Sequence, residues 1–217
     1  MPANPGFPLS LDVRGYHVVV LGGDEEAAEK TQRLLDAGAK VTVVAPTLHD
    51  HLKQLAASAK VVHRGRHFRV SDMENTILIL NMVRGDRDFA RSLFAKAREK
   101  KVLLWSVDFP EASSAIMPAV VATGHMRIAI STSGMAPALS GFMKEDLERI
   151  LDSEFSAFLD WLGELREQAK RDQPDVEKRR TMLREALDGF RLLGKVQYPK
   201  VWIDHRSQQK TESPAKS

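Results

Sequence analysis

Residues Tyr16 to Ala45 read Y-H-V-V-V-L-G-G-D-E-E-A-A-E-K-T-Q-R-L-L-D-A-G-A-K-V-T-V-V-A: an apolar β-branched run, a glycine turn, an amphipathic helical pattern and a second apolar run. This order predicts a βαβ unit. A parallel strand that enters a helix through a glycine turn gathers backbone N–H groups and the positive end of the helix at one spot, where the pyrophosphate of a dinucleotide can sit. A G-x-G-x-x-G/A turn that starts at Gly22 has its second glycine at position 24 and its third small residue at position 27. This chain has Asp24 and Ala27 there. Gly22, Gly23, Asp24 and Ala27 are therefore cofactor-binding candidates in a turn that lacks its second glycine.

The alternation continues downstream. Short β-branched or leucine-rich runs at His17–Leu21, Val41–Val44, Lys60–His63, Thr76–Asn81 and Val102–Val107 are separated by helix-length patterns, which predicts a doubly wound parallel sheet. Glu25–Ala37 closes on Gly38, a suitable C′ residue, and Asp86–Glu99 repeats apolar positions through Phe89, Leu93 and Ala97. After Pro110 the pattern changes. Ala115–Ala122 and Met126–Ser131 read as an antiparallel pair joined by Thr123, Gly124 and His125. Helices are expected at Pro137–Leu151, Glu154–Lys170 and Asp175–Phe190, with Pro174 separating the last two. The expected class is α/β: a Rossmann-like doubly wound parallel sheet over residues 1–112, a small α+β domain over 113–150 and a helical C-terminal domain over 151–206. The stretch 207–217 has no core-forming residues and reads as a disordered tail. No internal repeat is visible.

Composition excludes several classes. No apolar stretch approaches the ~20 residues that span a bilayer, so no membrane role is expected, and the first residues, M-P-A-N-P-G-F-P-L, lack the charged start and apolar centre of an export signal. The absence of cysteine removes disulfides, thiolate ligands and thiol nucleophiles together, and fits a cytoplasmic setting. A formal charge of +3 from 32 basic and 29 acidic residues is a small excess, so nucleic acid is not indicated. The basic clusters Arg64–Arg69, Lys96–Lys101 and Lys178–Arg184 read as solvated faces. His49 and His51 flank Asp50 at a helix start, and His63, His67 and His125 have no partner in sequence. No metal site is expected from this spacing.

Several blocks together resemble the precorrin-2 dehydrogenase and sirohydrochlorin ferrochelatase family, which also occurs as the N-terminal part of siroheme synthase. They are F-P-L-S-L-D-V-R-G near the start, L-L-D-A-G-A-K-V-T-V-V-A-P at 34–46, S-V-D-F-P-E-A-S-S-A-I-M-P-A at 106–119, I-A-I-S-T-S-G-M-A-P-A-L at 128–139 and D-Q-P-D-V-E-K-R-R at 172–180. They fall in the family's order over nearly the whole chain. The resemblance implies a nicotinamide-binding domain, a central dimerisation domain and a helical C-terminal domain in a homodimer. It also implies NAD-dependent oxidation of the tetrapyrrole precorrin-2 to sirohydrochlorin, in some members with ferrous iron as a further substrate.

Asp108 matches the family's active-site aspartate. Its chemistry suits both steps, since oxidation removes a proton beside the departing hydride and metal insertion displaces pyrrole protons; a positioned carboxylate accepts either. By itself, Asp108 also reads as a turn or N-cap residue before Phe109-Pro110. Ser131, Thr132 and Ser133 offer hydroxyl and backbone donors for substrate carboxylates, or a simple helix cap. Arg127 and Lys144 are the nearest cationic candidates for a substrate with eight carboxylates, and Gly141 stands where the family's helix carries an arginine.

Two departures from the family pattern lie on the cofactor side. G-G-D-E-E-A replaces a three-glycine turn, which sets Asp24, Glu25 and Glu26 against the phosphates, although carboxylates also stabilise a helix start. After the fourth strand, N-M-V-R-G-D at 81–86 replaces an A-T-x-D/N-like turn, and Arg84 becomes a candidate phosphate contact. Three functions fit this pattern: a working dehydrogenase, an NAD-independent sirohydrochlorin chelatase, and a non-catalytic tetrapyrrole-binding or partner protein of haem biosynthesis.

Overall fold

The computed structural model describes residues 6–195, 197–201 and 203; the expected tail at 207–217 lies outside them. Five parallel strands, β1 (His17–Leu21), β2 (Lys40–Val44), β3 (Val62–Arg64), β4 (Thr76–Asn81) and β5 (Leu103–Ser106), form one sheet in the order β3-β2-β1-β4-β5. The helices α1 (Glu25–Asp36), α2 (Asp50–Ala57) and α3 (Arg87–Glu99) lie between them in sequence. β6 (Ala119–Thr123) and β7 (Met126–Ile130) make an antiparallel pair, with Ala119 opposite Ile130, and α4 (Pro137–Ile150), α5 (Ser153–Asp172) and α6 (Val176–Glu185) follow. Over residues 17–185 the chain is thus α/β, with a five-stranded parallel sheet and six helices. Two compact units divide it, residues 1–156 and 157–217.

The apolar runs are continuous because both faces of the sheet are covered. From β1, Val18 and Val20 face one core with Ala27 and Ala28 of α1 and Leu52 and Leu55 of α2. Val19 and Leu21 face the other, with Ile79, Leu104, and Leu93 and Ala97 of α3. Strand order reverses beside β1, between β2 and β4. The crevice at a sheet's carboxyl ends is where such folds bind ligands. The ladder there runs one residue past the strands: Gly22 N–H donates to the Val44 carbonyl at 3.1 Å, Met82 N–H to Leu21 at 2.8 Å and Val107 N–H to Asn81 at 2.9 Å.

Three helices end in the same way. After α1, Gly38 N–H reaches the Leu35 carbonyl and Ala39 N–H the Leu34 carbonyl, the paired bonds of a Schellman cap. α2 and α3 close with equivalent bonds, but the left-handed residue is Ala59 (φ 55°) or Lys101 (φ 56°) rather than glycine. The α2 cap displaces the third strand from its expected place: Lys60 N–H is bound to the Leu55 carbonyl, so pairing starts at Val62.

The basic run at 64–69 is not a solvated face. Asp72, whose side chain is 0% exposed, accepts from Arg64 Nη1, from Arg66 Nη1 and Nη2 at 2.8 and 2.7 Å, and from Arg69 N–H at 2.7 Å. Burial pushes this carboxyl up, and the hydrogen bonds from Arg66, Arg69 N–H and Arg64 together outweigh it, so its pKa ends below the usual carboxylate range. Beside it, His17 lies between two threonines, with Nε2 2.8 Å from Thr42 Oγ1 and Nδ1 2.9 Å from Thr76 Oγ1. Burial, followed by the charge of Arg64, lowers the His17 pKa.

Candidate functional site

The switch-point crevice is built from three turns: the one after β1 (Gly22–Asp24), the one after β4 (Met82–Asp86) and the one after β5 (Val107–Phe109). Gly22 has φ 124°, and a Cβ there would lie 2.9 Å from Met82 Cβ; at Gly23 it would lie 2.0 Å from the Thr47 carbonyl oxygen. These two glycines let the turns pack on one another and thereby place the start of α1 at the sheet edge. Asp24 caps that helix, its Oδ1 accepting from Ala27 N–H at 2.8 Å. Ala27 is fully buried against the sheet, so its N–H is spent and its small side chain serves close packing.

The second turn is shaped by Asn81. This fully buried side chain accepts from Val83 N–H at 3.2 Å and donates to Ser106 Oγ at 3.4 Å, which ties the ends of β4 and β5 together. The third turn is held by Ser106, whose Oγ donates to the Ala112 carbonyl at 3.1 Å and whose N–H donates to Ser113 Oγ at 2.9 Å. Phe109 is buried under the Arg87 guanidinium, 5.7 Å from its ring centroid. Between these anchors Asp108 sits at φ 62°, a left-handed conformation that aspartate tolerates better than most residues, with its carboxylate half-exposed at the sheet edge.

Arg84 links all three turns. Its Nη1 donates to Asp108 Oδ2 at 2.8 Å and its Nη2 to Glu26 Oε2 in the first turn of α1, which Lys30 Nζ also approaches at 3.7 Å. The hydrogen bond that Arg84 donates to Asp108, with the charges of both acids, raises the Arg84 pKa against the opposing effect of desolvation. Asp108 is therefore a turn residue whose carboxylate meets a partner from the turn after β4, and the helix-cap reading does not hold: the short 3-10 turn at Pro110–Ala112 starts from Phe109. The Arg84 bridge spans residues 24 and 58 apart in sequence, a contact that no local spacing announces. Asn81 was likewise invisible, because it reads as the polar end of an apolar strand.

The turn's backbone suits the pyrophosphate of a dinucleotide. Among the described residues, the N–H groups of Gly23, Asp24, Glu25 and Glu26 make no hydrogen bond and open the positive end of α1. The acidic side chains oppose that fit less than their sequence suggests: Asp24 is used as the cap, Glu26 is neutralised by Arg84 and Lys30, and of the three only Glu25 is exposed without a partner among the described residues.

The other candidates lie on the hairpin and α4. Thr132 Oγ1 accepts from Ala136 N–H at 3.2 Å and its carbonyl accepts from Met135 N–H at 3.0 Å, so it shapes the entry to α4. Ser131 Oγ accepts from Ser133 N–H at 3.2 Å, with Ser133 at φ 53°. Arg127 folds back on its hairpin, donating to the Gly124 and Met126 carbonyls, both at 2.7 Å, and Lys144 pairs with Glu148 at 3.0 Å. His49 is the N-cap of α2, accepting weakly from His51 N–H at 3.4 Å. Among the described residues no group of three or more histidines and carboxylates is arranged to hold a metal ion.

A Rossmann-type parallel sheet with unbonded backbone N–H groups at its switch point defines the class, a dinucleotide-binding fold. A family model described as "Putative NAD(P)-binding" matches residues 9–119, just over half of the chain. The siroheme synthase of Gluconacetobacter diazotrophicus is 34% identical over 190 residues, 86% of this chain and 40% of that protein. The siroheme synthase of Nitrosospira multiformis is 29% identical over 220 residues, 97% of this chain and 46% of that protein. The chain thus spans less than half the length of these curated relatives. A solved structure described as "SirC, precorrin-2 dehydrogenase" shares the fold, with a TM-score of 0.72 at 24% identity over 96% of this chain and 100% of that one. The chain belongs to this family of putative NAD(P)-binding proteins, and along nearly its whole length it is similar to siroheme synthases and to a precorrin-2 dehydrogenase.

Proposed function

We propose that this chain oxidises precorrin-2 to sirohydrochlorin in siroheme biosynthesis, with NAD as the oxidant and Asp108 as the catalytic residue. The observation that carries the reading is the Arg84 bridge, which sets Asp108 and the first turn of α1 on either side of one guanidinium at the switch point. NAD, when bound, supplies a hydride acceptor. The chain's own part is to hold the dinucleotide phosphates on the N–H groups of Gly23 to Glu26 and to take the substrate proton on an Asp108 oxygen. Asp108 Oδ2 is held by Arg84, which leaves Oδ1 free to accept. Ser131, Ser133, Arg127 and Lys144 would meet substrate carboxylates once their present partners give way.

A homodimer goes with this reading. On α4, Leu139, Phe142, Met143 and Ile150 recur at helical spacing and are 44–67% exposed, with Met135 before them at 75%. A second copy is the occupant we assign to this stripe, with residues 113–150 as the dimerisation domain and 151–206 as the helical domain. A second reading is favoured by one observation, the carboxylates gathered at the start of α1: an NAD-independent chelatase that inserts ferrous iron into sirohydrochlorin, with Asp108 taking the pyrrole protons. The deciding experiment is calorimetric titration with NAD and NADH, followed by an absorbance assay of precorrin-2 oxidation in wild type and Asp108→Asn. Micromolar to submillimolar binding, with turnover abolished in the variant, is expected. No binding at millimolar NAD, with iron insertion retained, would replace the first reading by the second.

A further inference from the structure

The second compact unit contains a groove of about 410 Å³ between the end of α5 and one face of α6. Its rim is cationic, with Arg166 and Lys170 from α5 and Arg180 and Arg184 from α6, while Val176 and Leu183 form an apolar floor. No acidic residue lines it. Lys170 pairs with Glu167 at 2.5 Å, and both Lys170 and Arg184 stand in last turns, where a cation is favoured by the helix dipole. Neither reason covers Arg166 and Arg180. Arg166, Arg180 and Arg184 make no ion pair among the described residues. The pairs 166/170 and 180/184 are like charges four residues apart, an arrangement that weakens a helix. A fifth cation, Arg179, donates to the Gln173 and Pro174 carbonyls at 2.7 and 2.9 Å and pins the α5–α6 connection.

Three arginines without an ion pair among the described residues, set around an apolar floor, match a ligand with the opposite plan, an apolar body edged with anions. The volume is that of a small-molecule site. We propose that this groove is a binding site for the carboxylated edge of a macrocyclic polycarboxylate, with Arg166, Arg180 and Arg184 as its carboxylate receptors. The proposal rests on the substrate class in the proposed function and adds a site outside the Rossmann-type unit.

The test uses the whole protein and three stable porphyrins: uroporphyrin with eight carboxylates, coproporphyrin with four and mesoporphyrin with two. Fluorescence titration at low and high salt should give affinities that rise with carboxylate number and fall with salt. The triple variant Arg166→Gln/Arg180→Gln/Arg184→Gln should bind uroporphyrin about tenfold or more weakly, with mesoporphyrin little changed. Lys178→Gln, outside the groove, should bind as wild type, and Arg180→Lys should keep most of the affinity, which guards against a folding artefact. Unchanged uroporphyrin affinity in the triple variant overturns the proposal, and so does an equal loss for mesoporphyrin. Loss of single-stranded oligonucleotide binding with uroporphyrin binding intact overturns it too. Precorrin-2 turnover separates the two readings. Groove-dependent porphyrin binding without NAD-dependent oxidation would sink the reaction and leave the site; oxidation with KM unchanged in the triple variant would sink the site and leave the reaction.

Discussion

Replacing Arg84 by glutamine removes the one guanidinium shared by Glu26 and Asp108. Both pairs are partly exposed, with side-chain accessibilities of 48% for Arg84, 33% for Glu26 and 51% for Asp108, so each stabilises the fold by only ~0.2–1 kcal/mol. Losing both removes ~0.4–2 kcal/mol, and at about 2–4 °C per kcal/mol for a chain of this size Tm should fall by roughly 1–8 °C. The effect on an anion at the start of α1 is larger. Without Arg84, Glu26 keeps only Lys30 at 3.7 Å. A carboxylate close to a phosphate is unfavourable by ~1 kcal/mol in water and by ~4 kcal/mol at a surface-like dielectric. Screening and the remaining lysine bring this to about 1–2 kcal/mol, a roughly 5- to 30-fold loss of NAD affinity. Glu26→Gln should tighten binding by a similar factor, and the double variant should return to within about threefold of wild type. The assay is calorimetric titration at low and moderate salt, with the differences shrinking as salt rises. A double variant as weak as Arg84→Gln alone would show that Arg84 holds the ligand directly, and the shielding argument would be wrong.

Four further outcomes test the fold that carries the site. Asp72→Ala leaves two arginines facing a buried gap and should lower stability by about 3–5 kcal/mol in urea denaturation. In wild type, Asp72 has a folded pKa below its unfolded value, so its contribution is complete above the ordinary carboxylate range and disappears as pH falls through the depressed value. His17, also depressed, starts the decline earlier, from near its ordinary 6.5 downward, because the folded state resists its protonation; His17→Gln should flatten that first limb of the stability profile. Thr31 is fully buried in α1, and its hydroxyl has no partner among the described residues, so Thr31→Val should raise stability by roughly 1–2 kcal/mol in the same assay. Lys101→Gly places glycine at the left-handed cap of α3 and should raise Tm by about 2–4 °C, through ~1 kcal/mol of relieved strain; a loss would show that the lysine side chain makes a contact outweighing its backbone.

The parallel sheet was legible because strands buried on both faces leave continuous apolar runs, and because Gly38, Asp86 and Pro137 mark helix ends by their own backbone chemistry. The edge strand β3 was misplaced where a cap without glycine, at Ala59, left no mark in the residue types. What resisted reading is what depends on tertiary contact between charges. Arg64 and Arg66 look like surface cations until Asp72, eight and six residues on, is seen to be buried beneath them. The acidic start of α1 looks hostile to phosphate until Arg84, 58 residues downstream of Glu26, is found in its first turn. Charge composition is local to the chain, whereas charge compensation is local to the fold. A departure from a family's glycine turn therefore has to be judged together with departures elsewhere in the crevice: the extra carboxylate at position 26 and the arginine at position 84 meet as one ion pair, so the charge that one adds beside the phosphate site the other offsets.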